Sequence, residues 1–168
     1  MFLEPLPPHA VSLRSGGFTF VELLVTLAIM AILATVAVPL AQVTVQRQKE
    51  QELRASLSQI REALDAYKRA SDQGRIEMKL GESGFPKSLD DLWKGVPDQR
   101  SPNQQMLYFL RSLPRDPMFE DAPTPAAQTW GLRSYASPPD APAEGDDVFD
   151  IYSKSRKTGL NGVEYALW

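Results

Sequence analysis

Nineteen consecutive residues, Leu23 to Ala41, carry no charge, within "VELLVTLAIMAILATVAVPLA". About 20 apolar residues suffice for a helix to cross the hydrocarbon core of a bilayer. The run therefore constrains the chain more than any other feature. A cleaved secretory signal has a core of about 7–15 apolar residues with a small-residue cut site behind it. Here the core is longer and the glycines, Gly16 and Gly17, stand in front of it. Processing at those glycines would remove a polar leader and leave the span attached, so the run reads as a retained anchor. Pro39 lies inside it. Proline deletes one backbone donor and tends to kink a helix, which membrane spans tolerate better than soluble helices do.

Several function classes fall away on composition. The chain of 168 residues has no cysteine and one histidine, His9, ahead of the span. Disulfides, thiol catalysis, cysteine-type zinc sites, histidine zinc sites and Ser–His triads are thereby excluded. The formal net charge is −3 and no Lys/Arg cluster forms a phosphate-tracking stripe, so no nucleic-acid partner is expected. The carboxylate pairs Asp90-Asp91 and Asp146-Asp147 have no basic or nucleophilic companion at a telling spacing, and "GESG" and "GLNG" lack the P-loop pattern. No enzyme is expected.

Glu22 stands at the head of the apolar run. A carboxylate at the centre of a membrane helix costs about 2.5–3.5 kcal/mol on insertion scales and usually pairs or serves a function. Alternatively it lies near the helix start, reaches the interface and favours the positive helix N-terminus. The residues alone leave both readings open.

"GGFTFVELLVTLAIMAILATVAVP" (16–39) resembles the class III signal of type IV pilins and pseudopilins: glycine, aromatic, threonine, two apolar residues, glutamate, a long apolar run and a proline, in that order. The resemblance implies cleavage by a prepilin peptidase between Gly17 and Phe18 and N-methylation of Phe18. It also implies assembly roles for Glu22 and Pro39, with Glu22 facing the α-amine of a neighbouring subunit's Phe18. The leader departs from the usual short basic form, having Arg14, Glu4 and the proline-rich "EPLPPHA". Positive charge is also weakly distributed, with Arg14 on one side and Arg47, Lys49 and Arg54 on the other. A literal count places the C-terminal part in the cytoplasm. Those downstream bases are interleaved with Glu50 and Glu52, and the resemblance implies the opposite orientation, with a periplasmic head on a single-pass inner-membrane anchor.

Beyond the anchor no proline or glycine occurs from Gln42 until Gly74. Leu53, Leu57, Ile60, Leu64 and Tyr67 recur at helical spacing, an apolar stripe on one face. This predicts one helix from Phe18 to about Asp72, with Glu50–Arg54 and Asp65–Arg69 as i,i+4 pairs on solvated faces. The expected segments are a cleaved leader (1–17), a membrane or filament-core half (18–45), an amphipathic periplasmic half (46–73) and a head (74–168).

In the head, Ser88 followed by Asp91 predicts a capped short helix over Leu89–Lys94, pinned by Leu89, Leu92 and Trp93. "MLYFL" is an apolar run, "EDAPTPAAQ" a loop, and Thr129–Ser137 and Asp147–Ser155 alternate as half-buried strands do. "GVEYALW" offers a third strand. The expected fold is α+β: a long N-terminal helix packed by a small head with a short helix and a two- to three-stranded antiparallel sheet, the pilin fold.

Phe85-Pro86, Leu113-Pro114-Arg115-Asp116-Pro117 and Asp150 through Ser153 resemble the landmarks of the major (G-type) pseudopilin of type II secretion. That resemblance implies a pseudopilus subunit whose partners are copies of itself, other pseudopilins, the prepilin peptidase and an inner-membrane assembly platform driven by a cytoplasmic ATPase. It also raises calcium in the final loop. Calcium needs six to eight oxygens, whereas "KSRKTGLNGVEY" places Lys154, Arg156 and Lys157 there. No metal or cofactor is expected. The upstream acids Asp140, Glu144, Asp146 and Asp147 read as a solvated loop, or as an electrostatic staple to that basic turn. The alternatives are a type IV pilus or competence subunit and an envelope binding protein on an uncleaved anchor. Absence of cysteine favours the pseudopilus, because surface pilins commonly close the C-terminal region with a disulfide.

Overall fold

The computed structural model describes residues 17–168 apart from Gln104, so the leader expected over 1–17, including Arg14 and His9, lies outside the described residues except for Gly17. Helix α1 runs Phe20–Asp72. The chain divides into two compact units, one ending at Gln42 and the other spanning Val43–Trp168. In the first, every described side chain from Phe18 to Gln42 is exposed, and the helix is long and apolar enough to cross a membrane.

In the second unit the apolar stripe of α1 is buried as its spacing requires. Leu53 and Ile60 are fully inaccessible, and Leu57, Leu64 and Tyr67 are nearly so. Against this face pack Leu89, Leu92, Leu110, Trp130, Val148, Ile151 and Tyr165. Trp130 is fully buried and donates its indole N–H to the Pro114 carbonyl at 2.9 Å, which satisfies the one polar atom of the largest core side chain.

Helix α2 covers Asp90–Lys94. Its start differs from the expectation: the Ser88 hydroxyl does not cap it. Instead the Asp91 carboxylate reaches back to the N–H groups of Lys87 and Ser88, each at 3.1 Å. Leu89 and Leu92 are buried, but Trp93 is 38% exposed and donates to Asp90 at 3.1 Å. One turn of helix presents one inward face, and adjacent residues lie about 100° apart on it. Gly95 ends α2 at φ +87°, where an added Cβ would meet the Tyr108 ring at 2.7 Å.

Strands β1 (Val96–Pro97) and β2 (Met106–Leu107) form a small antiparallel sheet that local alternation does not announce. Helix α3 (Ala126–Thr129) takes part of the predicted loop. Strands β3 (Trp130–Arg133) and β4 (Asp150–Ser153) then pair antiparallel, with Trp130 opposite Ser153 and Arg133 opposite Asp150. Gly131 faces Tyr152, whose ring would lie 2.3 Å from any Cβ there. The expected third strand is instead a 3₁₀ turn, Tyr165–Leu167, with a single bridge from Thr158 to Glu164.

Electrostatics depart from the solvated-helix expectation at Glu50. It lies three residues before Leu53 and seven before Leu57, hence on the packed face, and is 5% exposed. Its Oε1 accepts from the Leu160 N–H (2.8 Å), the Tyr165 hydroxyl (2.9 Å) and the Gln46 amide (3.2 Å). Arg54 leaves it and lies 4.4 Å over the Trp168 ring. Asp65 and Arg69 also form no ion pair among the described residues. Arg61 bonds Asp150 (2.9 Å) and the backbone oxygens of Ile151 and Trp168. The C-terminal segment is thus tied to α1 by Glu50, Arg54 and Arg61.

Loss of the Glu50 carboxylate leaves the Leu160 and Tyr165 donors without their acceptor. Each unsatisfied buried group costs about 1–3 kcal/mol. Glu50→Ala is expected to lower the thermal midpoint and speed amide exchange over 158–166; unchanged exchange there would contradict the assigned tie.

Arg75 donates to Asp98 through Nη2 (2.6 Å) and Nε (3.0 Å) and holds this carboxyl below the usual range. A depressed folded-state pKa means stability is present above the unfolded value of about 3.9 and is lost as pH falls through the folded value. The thermal midpoint of the detergent-solubilised chain should therefore drop below about pH 4, and Asp98→Asn should flatten that drop. Tyr67 has the opposite sign: burial, aided by the charges of Asp91 and Glu82, pushes it up to about 12.

Candidate functional site

The chemistry marked by the sequence begins at Gly17. Gly17, Phe18 and Thr19 precede α1, which starts at Phe20. A Cβ on Gly17 would meet nothing within 4 Å. Packing among the described residues therefore gives no reason for glycine at this position. Phe18 is 75% exposed.

Thr19 and Glu22 are brought together by the first turn. The Glu22 N–H donates to Thr19 Oγ1 at 3.2 Å, and the Thr19 N–H points to Glu22 Oε2 at 3.5 Å. The Leu23 N–H reaches the Thr19 carbonyl at 3.2 Å. This is a reciprocal capping box, in which an N-cap threonine and the acid three residues on satisfy each other's orphan amides. Thr19 joins the site residues through this box, and "TFVE" carries the T-x-x-E spacing locally. The box turns the Glu22 carboxylate toward the chain preceding the helix, one residue from Phe18. The negative charge also favours the helix N-terminus. Among the described residues no cation pairs with Glu22.

Pro39 lies within α1, which continues through it. It belongs to no cluster with Glu22, which is more than four turns away at 3.6 residues per turn. Proline here cannot donate to the Thr35 carbonyl. The hydroxyls of the apolar segment are satisfied by the helix itself, Thr26 bonding the Leu23 carbonyl at 3.0 Å and Thr35 that of Ile32 at 2.7 Å. Such local bonds let polar side chains enter an apolar solvent without a partner from elsewhere.

The final loop does not offer the donor set that calcium needs. Lys154 donates to the Gln128 carbonyl at 2.8 Å and Lys157 pairs with Glu120. The Asn161 side-chain oxygen accepts from the Val163 N–H at 3.1 Å, and Gly159 N–H bonds the Val163 carbonyl at 2.9 Å. With Glu50 accepting from Leu160, the loop is ordered by protein groups and flanked by cations. The suggested staple does not form either: among the described residues no ion pair joins Asp140, Glu144, Asp146 or Asp147 to the basic turn. Asp147 instead accepts from the Ser83 hydroxyl and, at 2.8 Å, from the Tyr135 N–H, holding the long β3–β4 connection against the segment before α2.

Residues 12–38 match the family model described as the prokaryotic N-terminal methylation motif. No curated protein matches the chain, and no solved structure does. The match covers the glycines, Phe18, Thr19, Glu22 and most of the apolar run, and it suggests a structural subunit rather than an enzyme. A motif of this kind implies processing by a prepilin peptidase and assembly with other pilin-like subunits, and with the apolar helix it suggests membrane anchoring. The N-terminal segment is thus of the prepilin type, which supports placing the chain among type IV pilin-like or pseudopilin precursors.

Proposed function

We propose that this chain is a structural subunit of a type II secretion pseudopilus. The observation that carries the reading is the helix start: a methylation motif whose Thr19–Glu22 box opens an apolar helix segment, every described side chain of which is exposed as far as Gln42. Residues 1–17 are the leader, cut at Gly17–Phe18 on the cytoplasmic side, and Phe18 becomes the methylated N-terminus. Residues 18–45 anchor the chain in the inner membrane and later form the filament core. Residues 46–73 and the head 74–168 lie in the periplasm.

The cut creates an α-amine next to the segment that the capping box organises. In the filament, Glu22 accepts the Phe18 amine of a neighbouring copy. Opposite charges attract far more strongly in a low dielectric than in water. Removing one partner of a buried pair leaves an uncompensated charge and costs about 3–5 kcal/mol. An apolar stem leaves lipid for an equally apolar core at little cost, so the charge pair sets register. Pro39 shapes the helix within that core. The other pseudopilins, the assembly platform and its ATPase are the partners this reading requires. The head landmarks Phe85-Pro86, Leu113 to Pro117 and Asp150 to Ser153, together with a chain free of cysteine, support the pseudopilus over a surface pilus. A filament extending beyond the outer membrane would favour the pilus.

Substituting Gly17 should leave an unprocessed, longer chain on a denaturing gel. Mass spectrometry of the native protein should find a chain beginning at methyl-Phe18; an intact leader would instead indicate a tethered envelope protein. Glu22→Ala should insert and be processed yet form no polymer. Thr19→Ala should retain processing while weakening assembly less than Glu22→Ala, because the carboxylate stays and only its orientation is loosened.

A further inference from the structure

Resting on the polymer reading, we infer that the exposed strip of α1 beyond residue 43 is a docking surface for a second copy of this chain, in a register set by Arg47 against Asp65. Both residues are exposed, and among the described residues neither forms an ion pair. They are eighteen residues apart, five turns at about 3.6 residues per turn, so they lie on one line of the helix about 27 Å apart. Arg54 and Asp72 repeat the same offset on nearly the same line. Each also has an intrachain contact, Arg54 with the Trp168 ring and Asp72 with Lys68.

Between these ends the line carries the exposed Gln51, Arg54 and Ser58, with Ala55 and Glu62 beside it. Lys49 and Glu52 fall on other sides of the helix. At the acidic end Arg69 is outnumbered by Glu62, Asp65 and Asp72. Asp65 and Glu62 also line an open groove of about 510 Å³ with Phe109 and Arg111, room for an incoming side chain. Stems anchored by the same end run in the same direction, and because the head covers the Leu53–Tyr67 face, the exposed strip is the face left for another copy's strip to meet. Copies in axial register would set like charges side by side. A shift of about 27 Å instead sets Arg47 against Asp65 and Arg54 against Asp72 together. The two pairs agree on one offset, which is the complementarity that selects it.

The chain has no cysteine, so introduced thiols are the only ones present. In polymer-forming cells, Arg47→Cys with Asp65→Cys treated with a short bis-maleimide should give a ladder of covalent multimers. Either single variant should give no ladder, because like positions lie about 27 Å apart in this register. Absence of the ladder, or an equally strong ladder from Arg47→Cys with Ser58→Cys, would overturn the register. Independently, Arg47→Asp should cut the polymerised fraction severalfold, and adding Asp65→Arg should restore it; no loss, or no recovery, overturns the pairing. If the unaltered chain is processed but never polymerises, the polymer reading itself fails, an outcome distinct from a polymer indifferent to these charges.

Discussion

Packing of the head onto the Leu53–Tyr67 face of α1 is the contact on which the remainder of the second unit depends. The strands are two and four residues long, and a two-stranded ribbon is marginal on its own in water. Among the described residues neither small sheet has an opposing sheet to bury its face. The stem supplies that face, with Leu53, Leu57, Ile60 and Leu64 meeting Leu89, Leu92, Trp130 and Ile151. Polar ties then select one arrangement: Glu50 on the C-terminal segment, Arg61 on β4, and Arg75 on the turn after β1 through Asp98.

The same helix has a different solvent in its first unit. There the described apolar side chains surround the whole circumference instead of one face, and nothing among the described residues covers them. A helix apolar all round belongs in lipid or in the interior of an assembly, and the proposed function asks it to leave one for the other. Hydroxyls bonded back to their own helix fit that demand. So does Glu22, held by Thr19 at the end of the helix instead of its middle.

Two glutamates on α1 show how context divides one residue type. Glu22 is exposed and its partner is three residues away in sequence, so its geometry is a local matter of helix capping. Glu50 is buried and two of its partners are Leu160 and Tyr165, more than a hundred residues on. Read by i,i+4 spacing, Glu50 belongs with Arg54; read by its phase relative to Leu53 and Leu57, it belongs to the packed face. Phase decides the outcome, because a carboxylate covered by protein must find donors wherever the covering segment supplies them.

The long helix, its apolar stripe, the uncharged apolar run and the β3–β4 pair were legible in the residues, because each rests on local period or on length. The methylation motif was legible for the same reason, being a contiguous run. The capping box was equally local and could have been read from Thr19 and Glu22. Tertiary contacts alone decided the rest: the β1–β2 sheet, the outward turn of Trp93, the 3₁₀ turn in place of a third strand, and the fate of Glu50. Each of these depends on which distant segment arrives at a given face, and a side chain's neighbours across space leave no periodic trace along the chain.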